Sequence, residues 1–199
     1  GEFAEVYMEK TTNEVLRLHS GKLSTANVSK VKGAAIRIIK GELEVNSSIT
    51  DCTYENLLKA AKTLAGSFND KKHVEVQPFV EKKVELVVSP KNVRGNDISR
   101  EVNLLKTASD TIYAYSKEIV QVICNLTKME KRIFVFASDS TWQTDYRCNT
   151  RLSCQAVASD GKEMETGFDS FGRNQGMEMF DDFDVVPFAK QVAKYAVEM

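Results

Sequence analysis

The chain has 199 residues, with 27 basic and 28 acidic side chains and a formal charge of -1. A chain of this length buries roughly 70% of the surface its unfolded form exposes, so it needs no disulfide or metal to fold. The balanced charge offers no global field for DNA, RNA or an anionic membrane, which excludes nucleic acid as the expected partner. Purely apolar runs are short, as from Ile133 to Ala137, against the ~20 residues a membrane span requires. No charged segment leading into an apolar core opens the sequence, so the expectation is a protein without signal peptide or membrane span, located in the cytoplasm. Four cysteines, Cys52, Cys124, Cys148 and Cys154, form no CxxC pair and read as free, reduced thiols. Cys148 and Cys154 fall on one expected hairpin arm, from which either could reach a further thiol.

The first third reads as an antiparallel meander of about five strands. They are expected at Ala4–Lys10, Val15–His19, Leu23–Asn27, Gly33–Ile39 and Leu43–Ile49. Turns are expected at Ser20-Gly21-Lys22 and at Lys40-Gly41-Glu42. A helix follows, capped by Asp51 or Thr53, with Leu57, Leu58, Ala61 and Leu64 on one face and Gly66 at its end. Two alternating runs lie around Pro78 between Val74 and Val88, and Ser89–Asp97 forms the clearest linker. A second helix begins near Ser99 and presents Val102, Leu105, Ala108, Ile112 and Tyr115 at spacings of three or four. The rest repeats the opening order, with strands at Ile119–Leu126, Arg132–Ala137, Gln143–Arg147, Leu152–Val157 and Met164–Phe168. Asp160-Gly161 marks a hairpin turn of the type I′ kind. Asp184 caps a last helix carrying Val185, Phe188, Val192 and Tyr195.

The absence of βαβ alternation argues for an α+β fold with antiparallel or mixed sheets. The expected organisation is a first meander-and-helix unit over 1–89, a linker and connecting helix over 90–117, and a second such unit over 118–199. An internal duplication and a single compact domain both remain compatible with that order.

Groups that could carry chemistry are few. His19 and His73 have no second His, Cys or carboxylate at metal-ligand spacing, and surface roles suffice for both. Asp181, Asp182 and Asp184 cluster beside Glu178. Such carboxylates could do acid–base work or hold a hard cation, but a solvated lead into a helix N-terminus explains them without chemistry. Gly167–Gly176 superficially resembles a phosphate loop, yet it lacks a GK[ST] ending and reads as a mobile loop anchored by Phe168 and Phe171. No GxSxG is present, and Trp142 reads as a packing residue. No catalytic, cofactor-binding or metal residue is assigned.

Two stretches together carry a family likeness. Ala4-Glu5-Val6-Tyr7-Met8-Glu9, then Leu16-Arg17-Leu18, the turn at Gly21, and Lys32-Gly33-Ala34-Ala35-Ile36-Arg37-Ile38 form the first. The second runs from Arg151-Leu152-Ser153-Cys154-Gln155-Ala156-Val157 through Asp160-Gly161, Glu165-Thr166-Gly167, Gly172, Gly176, Glu178 and Phe180 to the helix over Ala189–Ala196. The chain resembles the N-terminal region of TldD/PmbA proteins, also called modulators of DNA gyrase, and more closely the TldD branch.

That resemblance implies a zinc metallopeptidase acting on peptides or unfolded chains, assembled as a TldD/TldE-type homo- or heterodimer. In the family, zinc is held by an HExxxH helix and a later cysteine. No HExxxH occurs in this sequence, so none of its residues is matched to that site, and zinc is expected in a C-terminal half of the parent protein. The leading expectation is a non-catalytic region that scaffolds the substrate cavity and assembly of such a peptidase. The alternative is a stand-alone protein-binding or dimerisation module.

Overall fold

A computed structural model describes residues 1–68, 78–82 and 98–198. Its strands are β1 (Phe3–His19), β2 (Lys22–Lys40), β3 (Leu43–Ile49), β4 (Val80–Lys82), β5 (Ile119–Ala137), β6 (Thr141–Ser159) and β7 (Met164–Arg173). Its helices are α1 (Tyr54–Ala65), α2 (Ile98–Tyr115) and α3 (Val185–Val197), with one 3₁₀ turn at Met177–Phe180. The fold is α+β, as the element order in the sequence implies. Three hairpin-linked strands followed by a helix occur twice, with α2 between them. The strands form one sheet in the order β3-β2-β1-β5-β6-β4, and β7 also pairs with β6. β2 with β3 and β6 with β7 are antiparallel, whereas the short β4 runs parallel to β6.

The strands are longer and fewer than the alternation suggests. Breaks expected after Lys10, Asn27, Leu126 and Arg147 are absent, so eight of the expected strands merge pairwise into β1, β2, β5 and β6. The polar stretches taken for connections contain no Gly or Pro. Their side chains are instead satisfied across the sheet. Lys131 Nζ sits 3.1 Å from Glu9 Oε2, and Thr150 donates from Oγ1 to the Gln175 carbonyl at 2.7 Å. Thr11 and Thr12 are buried, a setting in which their branched side chains suit extended backbone. The runs around Pro78 and the linker over 89–97 lie largely outside the described residues.

Turn chemistry explains the hairpins. Ser20 and Gly21 both have positive φ, 47° and 75°, as the two central residues of a type I′ turn need. At Asp160-Gly161 the expectation fails in part, because Gly161 alone has positive φ and four residues separate Ser159 from Met164. There the Asp160 carboxylate caps the loop, accepting from the backbone N–H groups of Lys162 and Glu163 at 2.8 Å each.

The chain packs into two compact units, each assembled from three stretches: 1–12, 30–87 and 131–147 in the first, 13–29, 88–130 and 148–199 in the second. In the first, Ile36, Ile38, Leu64 and Phe68 form the core, with Ala4, Val6, Val45, Ile49, Leu57, Ala60 and Ala61 packed around it. Thr53 caps α1 by accepting from Asn56 N. Leu58, expected on the buried face, is 39% exposed. It lies about 100° around the helix from Leu57, and the ridge that packs is Leu57, Ala61 and Leu64.

In the second unit, Leu16, Leu18, Val122, Cys124, Leu126, Leu152, Cys154 and Ala156 share one core with Leu105, Ala108 and Ile112 of α2 and with Ala189, Val192, Ala193 and Ala196 of α3. Asp184 caps α3 as expected, accepting from Val186 N at 2.9 Å. Of the α3 residues picked out by periodicity, Val185 and Val192 are buried, while Tyr195 is exposed.

Candidate functional site

Polar groups concentrate at two places on the strands. In the first unit Tyr7 donates from its hydroxyl to Glu9 Oε2 at 2.7 Å, and Lys131 Nζ approaches the same oxygen at 3.1 Å. Burial, then the hydrogen bond to Glu9, pushes the Tyr7 phenol up to about 12. The same bonds, from Tyr7 and then Lys131, hold the Glu9 carboxyl below its ordinary range. Glu9 is thus a fixed carboxylate with two donors on it, suited to holding strands together rather than to moving a proton.

The second place is a buried ion cluster in the second unit. Lys128 Nζ lies 2.5 Å from Glu101 Oε1 and 3.2 Å from Glu14 Oε2. The lysine and Glu101 are almost wholly buried, and Glu14 is half-buried. Two carboxylates on one ammonium offset its desolvation. Sequence reading passes over this cluster because its members come from β1, α2 and β5 and meet only once the strands are in register. The one legible signal was Glu101 falling one residue before the apolar stripe of α2, which put it near the buried face.

The groups singled out from the sequence do not converge. His19 bonds through Nε2 to Gln121 Nε2 at 2.7 Å, and His73 lies outside the described residues. Asp181 pairs with Arg100 at 2.6 Å, Asp184 is spent on the α3 cap, and Glu178 accepts from Gly176 N at 2.9 Å. Cys148 is buried, and burial, then the charges of Glu178 and Glu130, pushes its thiol up to about 11. Cys52 donates weakly to the Ile49 carbonyl at 3.6 Å. The thiol neighbour that the spacing of Cys148 and Cys154 left open is Cys124, whose sulfur lies 2.8 Å from that of Cys154. Among the described residues no three His, Cys, Asp or Glu side chains are grouped so as to hold a metal. The zinc implied by the resemblance therefore finds no fitting donor set among them.

Gly167–Gly176 is not a loop for most of its length. Residues 167–173 continue β7, paired to β6 down to Thr150↔Arg173. Close packing decides this: a Cβ on Gly167 would lie 2.3 Å from the Val192 carbonyl and 2.5 Å from Ala196 N. The glycine is there so that α3 can approach the strand. Phe171 does anchor the segment, stacked on Phe183 at 4.1 Å, but Phe168 is 53% exposed. Trp142 packs on Phe136 with ring centroids 5.9 Å apart. A shallow cleft of about 200 Å³ lies at the β6–β7 turn and carries four carboxylates, Glu118, Asp160, Glu163 and Glu165.

Family models place both halves of the chain. The model for PmbA/TldA metallopeptidase domain 1 matches residues 4–67, and that for the PmbA/TldA metallopeptidase central domain matches residues 91–199. The chain belongs to the TldD/PmbA metallopeptidase family.

Solved structures agree in fold with this TldD/PmbA chain. A candidate modulator of a DNA gyrase from Thermotoga maritima superposes with a TM-score of 0.73 at 15% identity, over 98% of this chain and 44% of that one. A candidate modulator of DNA gyrase from Bacteroides thetaiotaomicron gives 0.75 at 12% identity, over 99% and 45%. TldE from Thermococcus kodakarensis gives 0.70 at 14% identity, over 97% and 43%. This chain thus spans less than half the length of each of these proteins. No curated protein sequence matches it significantly.

Proposed function

We propose that this chain is the non-catalytic N-terminal region of a TldD-like zinc metallopeptidase that acts on peptides or unfolded chains in the cytoplasm. The observation that carries the reading is the matched pair of family domains, first then central, over residues 4–67 and 91–199. Its role is to shape the substrate cavity of the parent and to support a TldD/TldE-type assembly. The backbone supplies the means. Among the described residues β3 pairs on one side only, with β2. A strand edge of that kind offers free N–H and C=O groups to an extended chain, giving affinity without demanding a particular side-chain sequence.

None of the described helices is long and apolar enough to cross a membrane, and this does not address spans made by strands. The division into 1–89, 90–117 and 118–199 is retained as part of this proposal.

A stand-alone binding module is the second reading, and exposed apolar side chains on β2 favour it: Leu23 is 46% and Val28 is 56% exposed. The reading frame encoding the chain separates the two. An HExxxH encoded downstream supports the peptidase, and a stop codon near Met199 supports the module.

A further inference from the structure

The second unit contains a thiol pair that the proposed function does not use. Cys124 of β5 and Cys154 of β6 are both fully buried. Their sulfurs lie 2.8 Å apart, well inside ordinary contact between two sulfur atoms. A disulfide bond is about 2.05 Å long, so bonding requires only a small approach. The pairing frame of the two strands supports that approach, since Thr127 Oγ1, three residues after Cys124, reaches the carbonyl of Arg151, three residues before Cys154. The other cysteines stand apart: Cys148 is buried beside Glu178 and Glu130, and Cys52 belongs to the first unit.

We propose that Cys124 and Cys154 are a guarded redox pair, a dithiol in the closed sheet that oxidises to a cross-strand disulfide when this part of the sheet opens to a small disulfide oxidant. The guard has two parts. Both cysteines have no exposed surface and belong to the same core as Ala189 and Val192 of α3, so an oxidant does not reach them in the closed state. The hydrogen bond from Cys154 to Cys124, and then burial, push the Cys154 thiol well above its ordinary range, which starves it of the nucleophilic thiolate.

On opening, one thiol loses its proton to solvent and the thiolate attacks a sulfur of the small disulfide. This forms a mixed disulfide and releases one small thiol. The second cysteine, deprotonated in turn, attacks the protein sulfur of that mixed disulfide. The Cys124–Cys154 bond forms, a second small thiol leaves, and two electrons have passed from the protein to the oxidant. A dithiol reductant reverses the exchange.

The test is oxidation of the purified chain with oxidised glutathione across a series of urea concentrations held below the unfolding transition, followed by alkylation and peptide mapping. The expected result is slow reaction in the absence of urea and acceleration as the sheet opens. The product should be a single cross-link joining the peptides that carry Cys124 and Cys154, with loss of two hydrogens. Cys52 and Cys148 should remain alkylated. Cys124→Ala should abolish the cross-link and leave Cys154 as a mixed disulfide. The proposal is overturned if glutathione stays on single thiols of the wild-type chain. It is equally overturned by cross-links that involve Cys52 or Cys148, or by a rate independent of urea.

Discussion

The ammonium of Lys128 lies 2.5 Å from the Glu101 carboxylate, both nearly excluded from water, although the residues come from β5 and α2. A buried charge that loses its partner keeps its desolvation cost without the compensating attraction. Lys128→Met should therefore destabilise the chain by about 3–5 kcal/mol. Adding Glu101→Leu should recover much of that loss, because the stranded carboxylate goes with it. Urea denaturation of both variants checks this, and a cost below about 1 kcal/mol for Lys128→Met would place the pair among surface-like ion pairs.

The packing ridge of α1 gives a second contrast. Leu64→Ala should cost about 2–5 kcal/mol, because it empties a site between Ile36, Ile38 and Phe68. Leu58→Asp, on the exposed side, should stay within about 0.5 kcal/mol. Thermal melts of the two variants decide which leucine belongs to the core. Equal losses would mean that the helix sits rotated from the face described.

The contrast between Leu64 and Leu58 also marks what was legible in the sequence. Helical spacing finds an apolar stripe but not its width, and Leu58 falls just beyond the edge that packs. Strand number differs from the alternation for a related reason. Alternation identifies faces, and the polar stretches at Lys10–Glu14 and Thr127–Lys131 interrupt it, yet nothing in them bends the backbone. Partners that excuse such residues, Glu9 with Lys131 and Glu14 with Lys128, lie more than a hundred residues apart. The caps at Thr53 and Asp184 and the turn at Ser20-Gly21 were readable because they are local. The role of Gly167 was not, since it depends on α3 arriving from 25 residues later at Val192.

Gly167→Ala tests that contact directly. The glycine does not need positive φ, so the added methyl acts through its clash with the α3 backbone alone. Helix backbone cannot rotate aside as a side chain can, which places the cost at or above the upper end of about 1–3 kcal/mol for overpacking. Hydrogen exchange should show protection lost over α3 and β7 before other elements. Unchanged exchange there would mean that the helix stands further from the strand.

Alkaline stability should report on Tyr7. Its folded-state value of about 12 lies above the ordinary 10.0, so the neutral phenol favours the fold. That contribution is whole below about pH 10 and is lost as the pH rises through about 12. Glu9 acts at the other extreme, contributing above the ordinary carboxylate range and losing its contribution as the pH falls through its depressed value. Ultraviolet titration of the wild type against Tyr7→Phe should isolate one phenol ionising near pH 12. A difference transition centred near pH 10 would show that burial and Glu9 do not act on it as described.

In the proposed function, this TldD/PmbA chain contributes structure and not chemistry to a metallopeptidase. Zinc content and peptide hydrolysis measured on the same purified sample, before and after a chelator, test it most directly. The expected result is zinc well below one equivalent and no chelator-sensitive cleavage of an unstructured peptide. Stoichiometric zinc, together with cleavage that survives repurification and disappears on chelation, would contradict it.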